Sequence, residues 1–194
     1  MPLTVSLPAT DGDLWVPDVL PEPAGSFAAR FLFDHGGVSM PDGGILTLFR
    51  AGSGSGIEES LVRIELGKDS GRHRMRAVAW SDHRLVRSEW RVLPTGPHRI
   101  RVDWSGDRDS GQGGFLLLTV DGRRFARIDG LDTEGKTLGL VRLGVSGEVD
   151  PAISGTLLFD EYRRRLAAIS AAFEFRPSGF LDPTVPFANP HGIF

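Results

Sequence analysis

The chain has 194 residues and a net charge of −3 at pH 7. This length suits one domain with a substantial hydrophobic core. The acidic balance argues against a nucleic-acid binder, and the absence of cysteine excludes disulfides, thiolate metal sites and a cysteine nucleophile.

Residues 1–25 contain five prolines, which remove backbone donors and keep the chain extended or turning. They predict a Pro-rich lead-in with one edge strand. The segment lacks the basic start and apolar core of a secretory signal, and no run of about 18 apolar residues could span a bilayer. We therefore expect a cytoplasmic protein, with peripheral attachment to a membrane complex left open.

Residues 26–165 consist of short apolar runs separated by turn residues. In HRIRVDW, Ile100, Val102 and Trp104 alternate with charged residues, as in a half-buried antiparallel strand. Joints such as PDGG, KDSG and VDGR supply the Gly and Asp that tight turns need. The pattern predicts an all-β fold, a two-sheet antiparallel β-sandwich, followed by an extended arm at residues 166–194.

Several pieces occur in an order that resembles a known family: SFAARFLFD, HRIRVDW, FLLLTVDGRRFARIDGLD and LVRLGVSGEVDPAISGTLLFDEYRRR. The sequence resembles the concanavalin A-like lectin/glucanase superfamily, and is most similar to its laminin-G-like jelly-roll domains. The resemblance implies a jelly roll in which most of these residues are scaffold.

The polar residues within these pieces also have structural explanations. Asp121 precedes a glycine and is typical of a two-residue hairpin turn, while His98 begins a strand. Alternation places Asp103 on the face opposite to Trp104, which is expected in the core. We therefore predict sheet and turn roles for these residues.

Glycoside hydrolases of the superfamily place carboxylates at the spacing E-x-D-x-x-E on one strand. The nearest match here has Glu148 and Asp150, but Ile153 occupies the third position and Pro151 would interrupt the strand. The motif is not met, and on this basis the protein is not expected to be an enzyme.

Carbohydrate binding is the alternative that the resemblance implies. Lectins of the superfamily orient sugars with amides and calcium, but the chain has one asparagine and one glutamine. Trp80 and Trp90 are the candidate sugar-stacking residues. Calcium is the only cofactor left open, at Asp107 and Asp109 in the loop SGDRDSGQGG.

The C-terminal arm is rich in aromatic residues, which favour burial. The arm packs either on its own sandwich or on a protein partner. The sequence thus predicts a non-catalytic binding or scaffolding module, an accessory subunit of a larger assembly that does not bind nucleic acid. The candidate partner-binding residues are Phe173, Phe175, Phe180, Phe187 and Phe194.

Overall fold

A computed structural model describes residues 2–7, 14–53, 60–106 and 113–166, and these residues form thirteen β-strands. None of the described segments forms a helix long and apolar enough to cross a membrane. In chain order the strands are β1 (Leu3–Leu7), β2 (Leu14–Ala24), β3 (Ser26–Ser39), β4 (Ile45–Gly52), β5 (Ser60–Asp69), β6 (Arg72–Ser81), β7 (Arg84–Arg87), β8 (Arg91–Val92), β9 (Pro97–Ser105), β10 (Gly114–Val120), β11 (Arg123–Leu131), β12 (Leu138–Val145) and β13 (Ser154–Leu166).

The strands form two antiparallel sheets that pack face to face. The six-stranded sheet has the order β1-β13-β3-β9-β10-β11. The seven-stranded sheet has the order β2-β12-β4-β5-β6-β7, with β8 also paired to β6. One of the two sheets curls into a half-barrel. This is the antiparallel β-sandwich that the sequence predicts, whereas the predicted C-terminal arm lies outside the described residues.

The core fills the space between the sheets and follows from the alternation of side chains along each strand. In β9, Ile100, Val102 and Trp104 are at most 1% exposed, while Arg99 and Arg101 point outward. Facing residues of the other sheet close the core. Burial of each large apolar side chain contributes roughly 1.5–3 kcal/mol, so this layer provides most of the stability.

Strands β4 and β5 differ from β9 because both of their faces are largely buried. Apolar residues such as Leu66 point into the core, but Arg50 and Glu65 are buried on the opposite side of the sheet. We call this outer face of the seven-stranded sheet the front face, and the outer face of the six-stranded sheet the back face. Buried charged side chains are uncommon in proteins, and their presence makes the front face a candidate functional surface.

Strand β2 explains how the Pro-rich lead-in joins the fold. Pro17, Pro21 and Pro23 lie within this strand, at the edge of the seven-stranded sheet. An edge strand tolerates proline because one side of its backbone needs no ladder partner. The position of β2 brings Trp15 next to β12, where Trp15 pairs with Gly144.

Candidate functional site

Three arginines form a line across the middle of the front face. Arg142 of β12 pairs with Arg50 of β4, and Arg50 pairs with Arg63 of β5. Each arginine lies between two core-facing neighbours in its strand, so alternation directs all three side chains outward. We call this set, Arg142, Arg50 and Arg63, the front row.

The front row is partly removed from solvent. Arg50 is 6% exposed and Arg142 is 8% exposed, and Arg63 is half-buried. Arg63 has no ion-pair partner among the residues that the structure describes, and its Nε is buried without a hydrogen-bond acceptor. A guanidinium stays charged even when buried, so the row concentrates positive charge at a prepared donor site.

Two tryptophans flank the front row on the same side. Trp15 lies against Arg142, with the guanidinium carbon 4.4 Å from the ring centroid. Trp90 lies against Arg76, where the corresponding distance is 4.2 Å. Such cation–π contacts attract each guanidinium to the indole ring and limit the motion of both groups. The face thus carries aromatic surfaces beside a line of cations.

The support for Trp90 comes from a short polar network. Glu65 of β5 accepts a hydrogen bond of 2.7 Å from Arg76 Nε and also pairs with its Nη2. Gly67 lies beneath the indole, and a Cβ at this position would come within 2.8 Å of Trp90 Cη2. Glycine therefore lets the edge of the Trp90 indole approach β5 this closely.

A third tryptophan, Trp80, lies on the other side of the row. Val78 pairs with Arg63, and Trp80 is two residues after Val78 in β6. The side chains of Trp80 and Arg63 therefore lie on the same face, the front face. The ammonium of Lys136 lies 3.6 Å from the centroid of the Trp80 ring. His83 contacts the same indole edge-on, and its Nε2 pairs with Glu134.

The spacing of the front row suits a repeating anion. Neighbouring strands are about 4.8 Å apart, so three adjacent strands present guanidinium groups over roughly 10 Å. The spacing between neighbouring strands, about 4.8 Å, is close to the length of one sugar residue in an extended polysaccharide. The guanidinium fork of the half-buried Arg63 can hold a carboxylate through two parallel hydrogen bonds.

Both tryptophans proposed from the sequence as ligand-binding residues lie on this face. Trp90 and Trp80 flank opposite sides of the front row. The candidate calcium ligands Asp107 and Asp109 lie outside the described residues. The same holds for the candidate partner-binding residues Phe173, Phe175, Phe180, Phe187 and Phe194.

The sheet and turn roles predicted for other polar residues are confirmed. Asp121 has a φ of 50° in the β10–β11 turn, where its carboxylate accepts hydrogen bonds from the Arg99 backbone N and from His98 Nδ1. Burial would raise the pKa of Asp121, but these bonds lower it. Asp103 pairs with Arg101 on the back face, and Trp104 is buried.

The glycosidase-like carboxylates also have structural roles. Glu148 and Asp150 lie in the loop between β12 and β13, not on a strand. The Asp150 side chain accepts a hydrogen bond from the Ala152 backbone N, and Ile153 is fully buried. Across the described part of the chain, no group of three or more His, Asp or Glu is arranged to hold a metal ion.

The only tyrosine of the chain lies away from the front row. Tyr162 is on β13 of the six-stranded sheet, and its hydroxyl donates a hydrogen bond of 2.8 Å to Asp18. Burial, together with this bond to a carboxylate, raises the pKa of Tyr162 well above its usual value. Tyr162 therefore remains protonated and joins the open edges of the two sheets.

Sequence reasoning missed the front row. A local signal does exist, because each arginine stands alone between apolar residues in the runs LFRAG, LVRIEL and LVRLGV. Such a residue is directed outward from a buried strand. The pairing of β12 with β4 is not local in sequence, so the alignment of these arginines is not evident from the sequence.

No known family profile and no curated protein sequence matches the chain. Solved structures do match its fold. The alginate lyase Aly36B has a TM-score of 0.62 and 10% identity, covering 88% of this chain and 82% of its own. The endo-β-1,4-glucuronan lyase from the fungus Trichoderma reesei has a TM-score of 0.54 and 13% identity, covering 84% and 79%. The T. cruzi calreticulin globular domain has a TM-score of 0.50 and 10% identity, covering 79% and 71%.

At these identities the likeness shows a shared jelly-roll β-sandwich, as the resemblance to concanavalin A-like proteins implies. It gives no support to the narrower laminin-G-like assignment. The expectations of a non-catalytic scaffolding module and of a protein without enzymatic activity are wrong, because the matched folds include polysaccharide lyases. The alternative, carbohydrate binding, agrees better with these matches.

Proposed function

We propose that the protein acts on an acidic polysaccharide, which it binds across the front face. The observation that carries the proposal is the front row, in which three outward arginines lie directly opposite one another on adjacent strands. Like charges in direct opposition repel one another, and Arg63 has no ion-pair partner among the described residues, so an anion bound beside Arg63 would lower this repulsion. Uronate carboxylates provide that anion at matching intervals.

The tryptophans support a sugar ligand in preference to an isolated anion. Trp15, Trp90 and Trp80 present aromatic surface on both sides of the row, where the apolar faces of pyranose rings can stack. Alginate and glucuronan, for which two of the matched lyases are named, are both polymers of uronic acids. The ligand class proposed from the residues agrees with those names.

Cleavage by elimination is the second candidate activity, and the half-buried Arg63 favours it. In elimination, a base takes the proton from the carbon beside the uronate carboxylate, and the glycosidic oxygen leaves as the carbon–carbon double bond forms. Removal of this proton is easier when the carboxylate charge is neutralised. The buried Nε of Arg63 has no acceptor among the described residues, so it can donate to such a carboxylate. The row would thereby stabilise the negative charge that develops during elimination.

The first test is the substitution Arg63→Gln. Loss of one charge-assisted bidentate contact is expected to weaken binding of a defined-length oligouronate by about tenfold or more. Binding is measured by isothermal titration calorimetry. Cleavage is followed by the ultraviolet absorbance of new unsaturated uronate ends, and Arg63→Gln should lower any such rate.

The control is Arg84→Gln, which removes the same charge from an exposed position in β7. Arg63→Lys keeps the charge but loses the planar fork, and should give intermediate affinity. Circular dichroism confirms that the variants fold. Equal affinity for the wild type and Arg63→Gln would rule out the front row as the binding surface.

A further inference from the structure

A second row of arginines crosses the back face. Arg163 of β13 pairs with Arg30 of β3, and Arg30 pairs with Arg101 of β9. Thr119 of β10 continues the row and pairs with Arg124 of β11. The row spans five adjacent strands, or roughly 19 Å. We call the four arginines of this set the back row.

The back row borders a cleft of about 390 Å³. Small residues, Ala28 and Ala29, contribute to its wall, so the guanidinium groups of β3, β9 and β13 have open space between them. The arginines that line the cleft are Arg30, Arg101, Arg163, Arg164 and Arg165.

Much of this charge has no counterion in the described structure. Arg101 binds Asp103 through contacts of 2.7–3.0 Å, and Arg164 binds Asp18 at 2.7 Å. Arg30, Arg163 and Arg165 have no ion-pair partner among the residues that the structure describes. Three uncompensated positive charges therefore meet at one cleft of a protein whose net charge is −3.

The placement of Arg30 has a cost in the free protein. It lies directly opposite Arg163 on one side and Arg101 on the other, although Asp103 offsets the charge of Arg101. Repulsion between opposed like charges destabilises neighbouring strands. Binding of an anion would remove this repulsion, and the relief would add to the free energy of binding.

We infer that the back face is a second binding surface, which takes the carboxylate or sulfate groups of a linear acidic polysaccharide. The row runs across the strands at about 4.8 Å per strand, close to the length of one sugar residue in an extended chain. Phe115, four residues before Thr119 on β10, lies under the guanidinium of Arg127 and adds aromatic surface to the back face. A nucleic acid fits less well, because the protein lacks the basic surplus that carries nonspecific nucleic-acid binding.

This inference is independent of the front row, since the two sets of arginines lie on opposite faces of the sandwich. Titration calorimetry with a defined-length oligouronate and, separately, with a sulfated oligosaccharide tests it. The double variant Arg30→Gln/Arg163→Gln is compared with Arg63→Gln on the front face and with the control Arg84→Gln. The wild-type titration is expected to show two binding events, one for each face, with at least one of these ligands.

The double variant should weaken one event by about five- to tenfold and leave the other unchanged. Arg63→Gln should have the reverse selectivity. The ligand whose binding the double variant weakens shows whether carboxylate or sulfate groups occupy the cleft. Either result supports the inference. A change with the double variant but none with Arg63→Gln would uphold the back face and reject the front one.

A stability measurement separates a binding role from a structural one. Because the double variant relieves repulsion, its urea midpoint should rise above that of the wild type when no ligand is present. A lower midpoint would assign the arginines to structure and overturn the inference. Unchanged affinity for both oligosaccharides, or binding of duplex DNA only, would also overturn it.

Discussion

Three histidine rings meet at one end of the core. The His35 and His73 ring centroids are 4.4 Å apart, and the His35 and His98 centroids are 6.4 Å apart. His35 and His98 each place Nε2 at 2.8 Å from the Pro94 carbonyl oxygen, which accepts from both. His73 Nε2 is buried without a partner among the described residues. His73 therefore gains no hydrogen bond at Nε2 on becoming charged.

His73 makes the stability of the fold depend on pH. Burial, with repulsion from His35 and Lys68, lowers its pKa from 6.5 to about 4. Between these values the unfolded chain binds a proton that the folded chain does not. The free energy of unfolding is therefore unaffected by the protonation of His73 above pH 6.5, and it decreases as the pH falls toward 4. Allowing for partial exposure, we expect a loss of about 1 kcal/mol between pH 7 and pH 5.

Urea unfolding at the two pH values measures this effect. His73→Gln should show a smaller loss of stability on acidification, whereas His83→Gln should behave as the wild type because His83 is exposed. If His73→Gln retained the full loss, the acid sensitivity would have to come from other groups.

At the scale of elements, a pair of glycines sets how closely β3 approaches β13. Gly155 has a φ of 104°, and a Cβ there would collide with the Gly37 carbonyl oxygen. A Cβ on Gly37 would come within 2.9 Å of the Thr156 carbonyl oxygen. The ladder β1-β13-β3 therefore depends on backbone surfaces that lack side chains.

Gly155→Ala is expected to destabilise the protein by about 2–3 kcal/mol, because it combines positive-φ strain with a backbone collision. Gly122→Ala is the matched control. Gly122 has a φ of 76° in the β10–β11 turn and open space around its Cα, so only strain of about 1 kcal/mol is expected. Urea midpoints followed by tryptophan fluorescence compare the two. Equal losses would show that close approach of the strands contributes little.

At the scale of the whole molecule, the fold class could be predicted because its signals are local. Alternation in HRIRVDW predicts which residues of β9 are buried, and the Asp121-Gly122 pair predicts the β10–β11 turn. The order of the strands in each sheet could not be predicted in this way. β13 inserts between β1 and β3, and β12 between β2 and β4, so these neighbours are distant in sequence. Packing of complete sheets decides such pairings, and no local pattern encodes them.

The candidate site depends on those nonlocal pairings. Trp80 and Trp90 could be proposed singly, since aromatic residues can be found by type. Arg50 and Arg142 become a site only when β4 and β12 align with the register that places them opposite each other. The bulge between Thr47 and Phe49 helps to set which residues of β4 face outward. Register and bulges together are what the sequence alone could not reveal.

The distribution of charge over the molecule leads to a final prediction. The chain has 25 Asp and Glu residues and 22 Lys and Arg residues, yet arginine rows cross both outer faces. Recognition of an acidic polysaccharide therefore rests on local positive charge within a net negative protein. Raising the salt concentration from 0.1 to 1 M shortens the screening length from about 10 Å to about 3 Å.

Affinity for an oligouronate should fall by about tenfold or more over this range, since bound counterions must be displaced at each contact. A neutral glucan of the same length is the control, and its binding should be weak at both salt concentrations. Arg63→Gln should reduce the salt dependence as well as the affinity, because it removes one of the charges involved. If oligouronate affinity did not change with salt, sugar stacking on the tryptophans would be the main source of binding energy, and charge pairing with the rows would not.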